Sequence, residues 1–204
     1  MIGKSPPDSD TLALRNRLIE LAQARNEEAF TILYHRYLPE IGAYVTGLGG
    51  PFDKRDDLLQ EIFLKAWKDL PTLRQAYSFK AWLYRIATNV VYDEARKQKR
   101  SRGGQLLSLE NCPSEYEVTD PRQNFERQVE ESEIVRQALG EVPWKYRMSL
   151  LLEVEGKLSR EEIAEVVGIS PSSVGTYISK GRQCFLQVYH RLNQSSNEER
   201  RSTL

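Results

Sequence analysis

The run from Asp53 to Leu70, DKRDDLLQEIFLKAWKDL, constrains the fold more than any other stretch of this chain. Leu59, Ile62, Phe63, Ala66, Trp67 and Leu70 recur at offsets of three and four, so a single helix gathers them on one face, and that face must be buried. Asp53 is placed as N-cap, Asp56 and Asp57 put negative charge in the first turn where the helix dipole favours it, and Pro71 follows the end. The opposite face collects Asp57, Gln60, Glu61, Leu64 and Lys68, one large apolar side chain among acids and amides. A lone exposed leucine is ordinary. An apolar anchor with a polar rim is also what a helical docking surface presents.

The flanking stretches predict more helices of the same kind. From about Thr11 to Thr46 two are expected, one with Leu14, Leu18, Leu21 and Ala22 inward and one with Phe30, Leu33, Tyr34, Tyr37, Ile41 and Val45, with Asn26 as the cap between them. The glycine-rich turn from Gly47 to Phe52 leads into the 53–70 helix. A further helix starts near Phe79 and runs to about Arg100, with Trp82, Leu83, Ile86, Ala87, Val90 and Val91 inward and ARKQKR at its end. Those basic last turns suit either a surface laid along nucleic acid or a solvated end that complements the helix dipole.

Charge is distributed in blocks, although the formal net charge is +0. From Arg85 to Arg102 there are six basic residues against two acids, whereas from Gln105 to Glu133 there are eight acids against two arginines. The acidic stretch has no sustained period, opens on Gly103 and Gly104 and contains Pro113 and Pro121, so residues 103–126 read as an extended linker. The expected organisation is all-α, with a helical domain over 11–102 and a second over 127–193.

The most specific local pattern is LSREEIAEVVGISPSSVGTYISKGRQCFLQVYHRL. Ser159 with Glu162 forms a capping box, Gly168 makes a turn, and Ser170 caps a second helix with Pro171 at its first position. Val174, Ile178 and Phe185 lock the second helix onto the first, which describes a helix-turn-helix. In a DNA-binding version Ser172, Ser173, Thr176 and Tyr177 face the major groove, and Lys180 and Arg182 lie nearer the phosphates. A structural helical hairpin has the same pattern.

Several classes are excluded or disfavoured. No apolar run approaches the roughly 20 residues that span a bilayer, and MIGKSPPDSD lacks the apolar core of a signal peptide, so a cytoplasmic protein with a disordered lead is expected. Two cysteines, Cys112 and Cys184, rule out a disulfide framework and offer no metal spacing. No phosphate loop or nucleophile arrangement supports an enzyme, and no cofactor is expected.

Taken in order, these parts resemble the extracytoplasmic-function (ECF) group of bacterial sigma factors. AFTILYHRYLPEIGAYV is similar to the first conserved helix of their N-terminal domain, DKRDDLLQEIFLKAWKDLP to their polymerase-docking helix, and FKAWLYRIATNVVYDEARKQKR to their promoter-melting helix. ALGEVPWKYRMSLLLEVEGKLSREEIAEVVGISPSSVGTYISKGR resembles their C-terminal helix-turn-helix domain, and the likeness runs from about Ala29 to Leu192. It implies an initiation factor that binds core RNA polymerase, directs it to promoters and helps melt the downstream element. Asp57, Gln60, Glu61 and Leu64 then fall where the family contacts the coiled coil of the largest polymerase subunit. Tyr77, in the loop Leu70–Ser78, becomes a candidate stacking surface for a flipped base, with Arg85, Asn89 and Arg96 on the strand or its backbone. The acidic linker is implied to thread the polymerase cleft, and an anti-sigma partner is a family expectation. The competing reading is a stand-alone helix-turn-helix regulator with a ligand-sensing or dimerising N-terminal domain. Gly175 and Gly181 depart from the family pattern, and the polar tail NQSSNEERRSTL is expected to be disordered, with no fused domain after it.

Overall fold

The computed structural model describes residues 9–50, 52–74, 78–101 and 125–202. Eight helices occur among them: α1 (Ser9–Gln23), α2 (Glu27–Gly47), α3 (Arg55–Asp69), α4 (Phe79–Ser101), α5 (Phe125–Glu141), α6 (Trp144–Val154), α7 (Arg160–Val167) and α8 (Pro171–Ser202). There is no strand among the described residues. The acidic linker expected at 103–126 lies outside the described residues up to 124, and α5 already begins at Phe125.

Helices α1 to α4 form the N-terminal half. The Asn26 side chain accepts from the Ala29 N–H, as its cap position requires. Ahead of it, Arg25 adopts a left-handed φ of 67°, which turns the chain sharply between α1 and α2. Its guanidinium donates to the carbonyls of Trp67 (2.7 Å) and Lys68 (3.3 Å) and lies over the Trp67 ring, so the α1–α2 turn also caps the end of α3.

The start of α3 differs from expectation. A 3-10 turn, Phe52–Lys54, precedes the helix, Lys54 occupies the cap position without a side-chain cap bond, and Asp53 lies inside the turn. The tighter turn draws Asp53 into helical geometry, where its carboxylate still meets the positive helix end. Inside the half, Ile62, Ala66, Leu83 and Tyr84 are fully buried, whereas Trp67, Trp82 and Ile86 are only half-buried.

The C-terminal half is α5 to α8. The Ser159–Glu162 capping box is complete, and Gly168 takes the left-handed conformation (φ 71°) that ends α7. Val174 and Ile178 are buried on α8 beneath Ile163 and Val167 of α7. Ser170 stands before α8, its hydroxyl hydrogen-bonded to those of Ser172 and Ser173. Cys184 is buried on α8, and Cys112 lies outside the described residues. Helix α8 continues to Ser202, through most of the polar tail expected to be disordered, because neither proline nor glycine follows Gly181 to stop it.

The halves meet in one continuous apolar core. Leu151 of α6 sits where a Cβ on Gly47 of α2 would stand 2.8 Å from it, and Tyr92 of α4 packs its ring against Trp144 of α6 at 5.7 Å. No helix among the described residues is long and apolar enough to cross a membrane.

The two unexpected glycines of α8 have opposite standing. A Cβ at Gly181 would lie 2.7 Å from the carbonyl oxygen of Tyr146, so the close approach of α6 and α8 requires glycine, whereas a Cβ at Gly175 meets nothing. Gly175→Ala should therefore stabilise by up to ~1 kcal/mol and Gly181→Ala destabilise by ~1–3 kcal/mol, read as opposite shifts in thermal unfolding.

Candidate docking and nucleic-acid interfaces

Helical spacing on α2 and α3 builds a groove between them. Phe30, Thr31, Tyr34 and Leu38 line it from α2, and Asp56, Asp57, Gln60, Phe63, Leu64 and Trp67 from α3, around a volume of about 810 Å³. Its floor is aromatic: Phe30 and Trp67 stand 4.9 Å apart with tilted rings, and Tyr34 and Phe63 meet edge to face at 4.7 Å. Phe63 is 5% exposed at the floor, while Leu64 is 61% exposed at the lip. Glu27 on one side and Asp57 on the other give the rim acids, while Asp56 is paired with Arg55, also at the groove, at 3.6 Å.

Three of the four residues expected at a docking surface, Asp57, Gln60 and Leu64, thus share this groove. Glu61 does not line it: it is turned to the other flank of α3, where it pairs with Lys65 at 2.7 Å. From sequence, Phe30 and Tyr34 read only as core residues and Leu38 does not stand out. Their helical spacing is visible, but nothing in a single helix pattern says which neighbour stops short of covering it. An apolar trough with acidic lips is suited to an amphipathic helix whose flanks are basic.

The second surface is on α4. Arg85, Asn89 and Arg96 fall on one exposed stripe, and Tyr92 belongs to it by the same i, i+4, i+7, i+11 spacing. Tyr92 is 43% exposed, and the Arg96 guanidinium lies 5.8 Å from its ring centre. Tyr92 escapes sequence reasoning because an aromatic in a helix pattern reads first as core. Glu94, one of the two acids in this basic block, is bound by Lys54 at 2.6 Å, and that hydrogen bond holds its carboxyl below the ordinary range. Tyr77 lies outside the described residues.

The third surface is the first half of α8. Ser172 and Thr176 are exposed, and so are Ser179 and Gln183 at the next positions of the same face, which the helix-turn-helix pattern alone does not single out. Ser173 and Tyr177 are half-buried, the latter with its ring edge on Tyr146 at 5.1 Å. Lys180 stays exposed above Tyr146, and Arg182 turns back to pair with Glu153 of α6 at 3.0 Å. The outward face therefore centres on Ser172, Thr176, Ser179 and Gln183, with Tyr177 and Arg182 at its flanks.

Two family models match the chain, one in each half. Residues 33–101 match the family model for Sigma-70 region 2, and residues 132–185 match that for Sigma-70, region 4. The chain is 29% identical over 176 residues to the RNA polymerase sigma factor YlaC of Bacillus subtilis, covering 86% of this chain and 99% of that one. It is 30% identical over 172 residues to the ECF RNA polymerase sigma-E factor of Escherichia coli K12, covering 81% of this chain and 89% of that one. Its fold resembles that of the sigma factor RpoE in complex with the anti-sigma factor NepR from Bartonella quintana, with a TM-score of 0.60 at 24% identity over 78% of this chain and 95% of that one. With both sigma regions present in order, and a 30% identical relative matched over most of its length, this chain belongs to the ECF group of RNA polymerase sigma factors.

Proposed function

We propose that this sigma factor docks on core RNA polymerase through the α2–α3 groove, with Asp57, Gln60 and Leu64 at its lip, and from there directs the enzyme to its promoters. The observation that carries the assignment is the half-open aromatic trough with an exposed Leu64 beside it, an apolar surface left uncovered on an otherwise well-packed domain. Glu61 stands outside the trough, on the other flank of α3, paired with Lys65. The stand-alone regulator has no use for this surface.

The division into 11–102, 103–126 and 127–193 then has a functional meaning. The first segment binds polymerase and the downstream element, the acidic second segment passes through the polymerase cleft, and the third reads the upstream element. Arg85, Asn89, Tyr92 and Arg96 form a track for the downstream strand, and Tyr77 stacks a flipped base. On α8, base readout falls to Ser172, Thr176, Ser179 and Gln183, while Lys180 and Arg182 serve the phosphates. Core polymerase and promoter DNA make the cytoplasm its place of action. An anti-sigma partner, as in the RpoE–NepR complex, would act by competing for one of these surfaces.

Leu64→Asp should weaken core binding by roughly 30-fold or more, a loss of ~2 kcal/mol, and abolish run-off transcription at limiting sigma factor, while leaving the unfolding temperature near that of the wild type. Phe63→Ala, at the floor of the same groove, should instead cost ~3–5 kcal/mol of stability. Undiminished run-off by the Leu64→Asp protein would remove the groove from polymerase docking. Ser179→Ala and Gln183→Ala should relax base preference when promoters are selected from a library randomised in the upstream element, at ~1–3 kcal/mol for each base whose hydrogen bond is removed, and Tyr177→Phe should not. Tyr77→Ala should suppress the rise in 2-aminopurine fluorescence when the downstream element opens.

A further inference from the structure

We propose that Gln23 and Arg25, at the turn between α1 and α2, are positioning residues for base selection in the downstream element: they fix the direction in which the chain leaves α3 for the loop 70–78, which rests on the reading of that loop as the pocket for a flipped base.

A helix leaves its last carbonyls without donors, and a left-handed glycine commonly ends it. The stretch after α3 holds no glycine, and Leu70 and Leu73 have φ of −53° and −69°. Pro71 adds to the deficit. It has no N–H for the Trp67 carbonyl, its α-helical acceptor, or for the Lys68 carbonyl, its acceptor in 3-10 geometry. Arg25 donates to both, at 2.7 and 3.3 Å. The Thr72 hydroxyl serves the Asp69 carbonyl at 2.6 Å, and the Leu73 N–H closes on the Leu70 carbonyl at 3.1 Å. The Gln23 amide then donates to the Leu73 carbonyl at 2.5 Å and stands 3.4 Å from that of Leu70. Trp67, Lys68 and Leu73 thus take their donors from a turn 42 to 50 residues away in sequence.

The turn that supplies these donors is itself strained. The Asn26 N–H bonds to the Leu21 carbonyl at 3.1 Å and the Arg25 N–H to that of Ala22 at 3.0 Å, which puts Arg25 at the position where glycine usually ends a helix. Arg25 bears φ 67° there. Glycine would adopt that φ without cost, so the backbone does not account for an arginine. Its guanidinium does, by holding the two carbonyls that Pro71 leaves free and lying 5.2 Å from the centre of the Trp67 ring.

Apolar packing and hydrogen bonds divide the task at the start of the loop. Leu70 is fully buried and Leu73 packs on the core, which holds this segment against the domain. Packing is non-directional, whereas the Gln23 bond fixes how the Leu73 peptide is turned. From there the chain runs extended, at ψ 114°, into the exposed Arg74. A pocket that selects a base must be held within about 0.5 Å, so a rotation at Leu73 alters which bases it accepts. Gln23 does not line the polymerase groove, and both residues precede residue 33, where the match to Sigma-70 region 2 begins.

Two full-length variants test this in holoenzyme at saturating core polymerase. Gln23→Leu keeps the volume and loses the donor, and Arg25→Gly accommodates the left-handed backbone and loses the guanidinium. Promoters are selected from a library randomised in both elements. Either variant should reduce the ratio between best and worst base in the downstream element by roughly five-fold, the worth of about one hydrogen bond, and leave preference in the upstream element unchanged. A partly unfolded variant lowers all promoters alike and leaves these ratios intact, so lost activity alone does not imitate the effect. Wild-type ratios in both variants would overturn the proposal, and so would equal loss of preference in the two elements. Tyr77→Ala serves as the reference for the loop: if it too keeps wild-type downstream ratios, the loop reading falls and the positioning role with it. Altered ratios for Tyr77→Ala but not for Gln23→Leu or Arg25→Gly would overturn positioning alone.

Discussion

The crossing of α2 and α4 at Tyr44 and Tyr84 is the contact on which the other surfaces depend. The two rings meet edge to face at 4.9 Å, both fully buried. The Thr88 hydroxyl donates to the Tyr84 carbonyl within α4 and so is left to accept from the Tyr44 hydroxyl, each at 2.8 Å. Burial raises the Tyr44 pKa far above its ordinary value, so the phenol remains a donor throughout the physiological range. A directional bond in an apolar crossing sets rotation as well as distance. Turning α4 about its axis would bring Thr88 out of register with Tyr44 and carry the Arg85–Arg96 stripe with it.

From that crossing the two sides of α2 take different roles. One side, with α3, remains partly uncovered and forms the aromatic trough. Arg25 fixes its far end by joining the α1–α2 turn to the last carbonyls of α3. The last turn of α2 carries no side chain at Gly47 and admits Leu151 from the C-terminal half. The same helix thus lines an open trough on one side and packs against the C-terminal half at its end. The two do not compete, because one lies along its first half and the other at its end.

Much of this is legible in the sequence. The limits of α2 and α4, the Asn26 cap and the Ser159–Glu162 box follow from periodicity and capping chemistry, which act within a few residues. Local chemistry is a weaker guide at ends with no strong stop. Asp53 yields its cap position to a 3-10 turn, and α8 runs on into the tail for lack of a breaker. Of the site, Leu64 is visible as an apolar residue among acids, but its partners across the groove are not. Glu61 shares its helix face on a wheel and stands less than a quarter turn away, enough to put it on the other flank.

What the sequence determined by itself is the all-α character, the order of the two sigma regions and the helix faces that had to be buried. These depend on spacing along one element. Only the tertiary structure decided which buried faces met, that a trough stayed open between α2 and α3, that Gly181 is required by the Tyr146 backbone while Gly175 is not, and that the C-terminal half lies against Tyr92 and Arg85 of α4. Those outcomes depend on residues distant in sequence, such as Tyr92 with Trp144 or Arg85 with Glu165, whose approach is fixed by the packing of whole helices and leaves no mark in either segment alone.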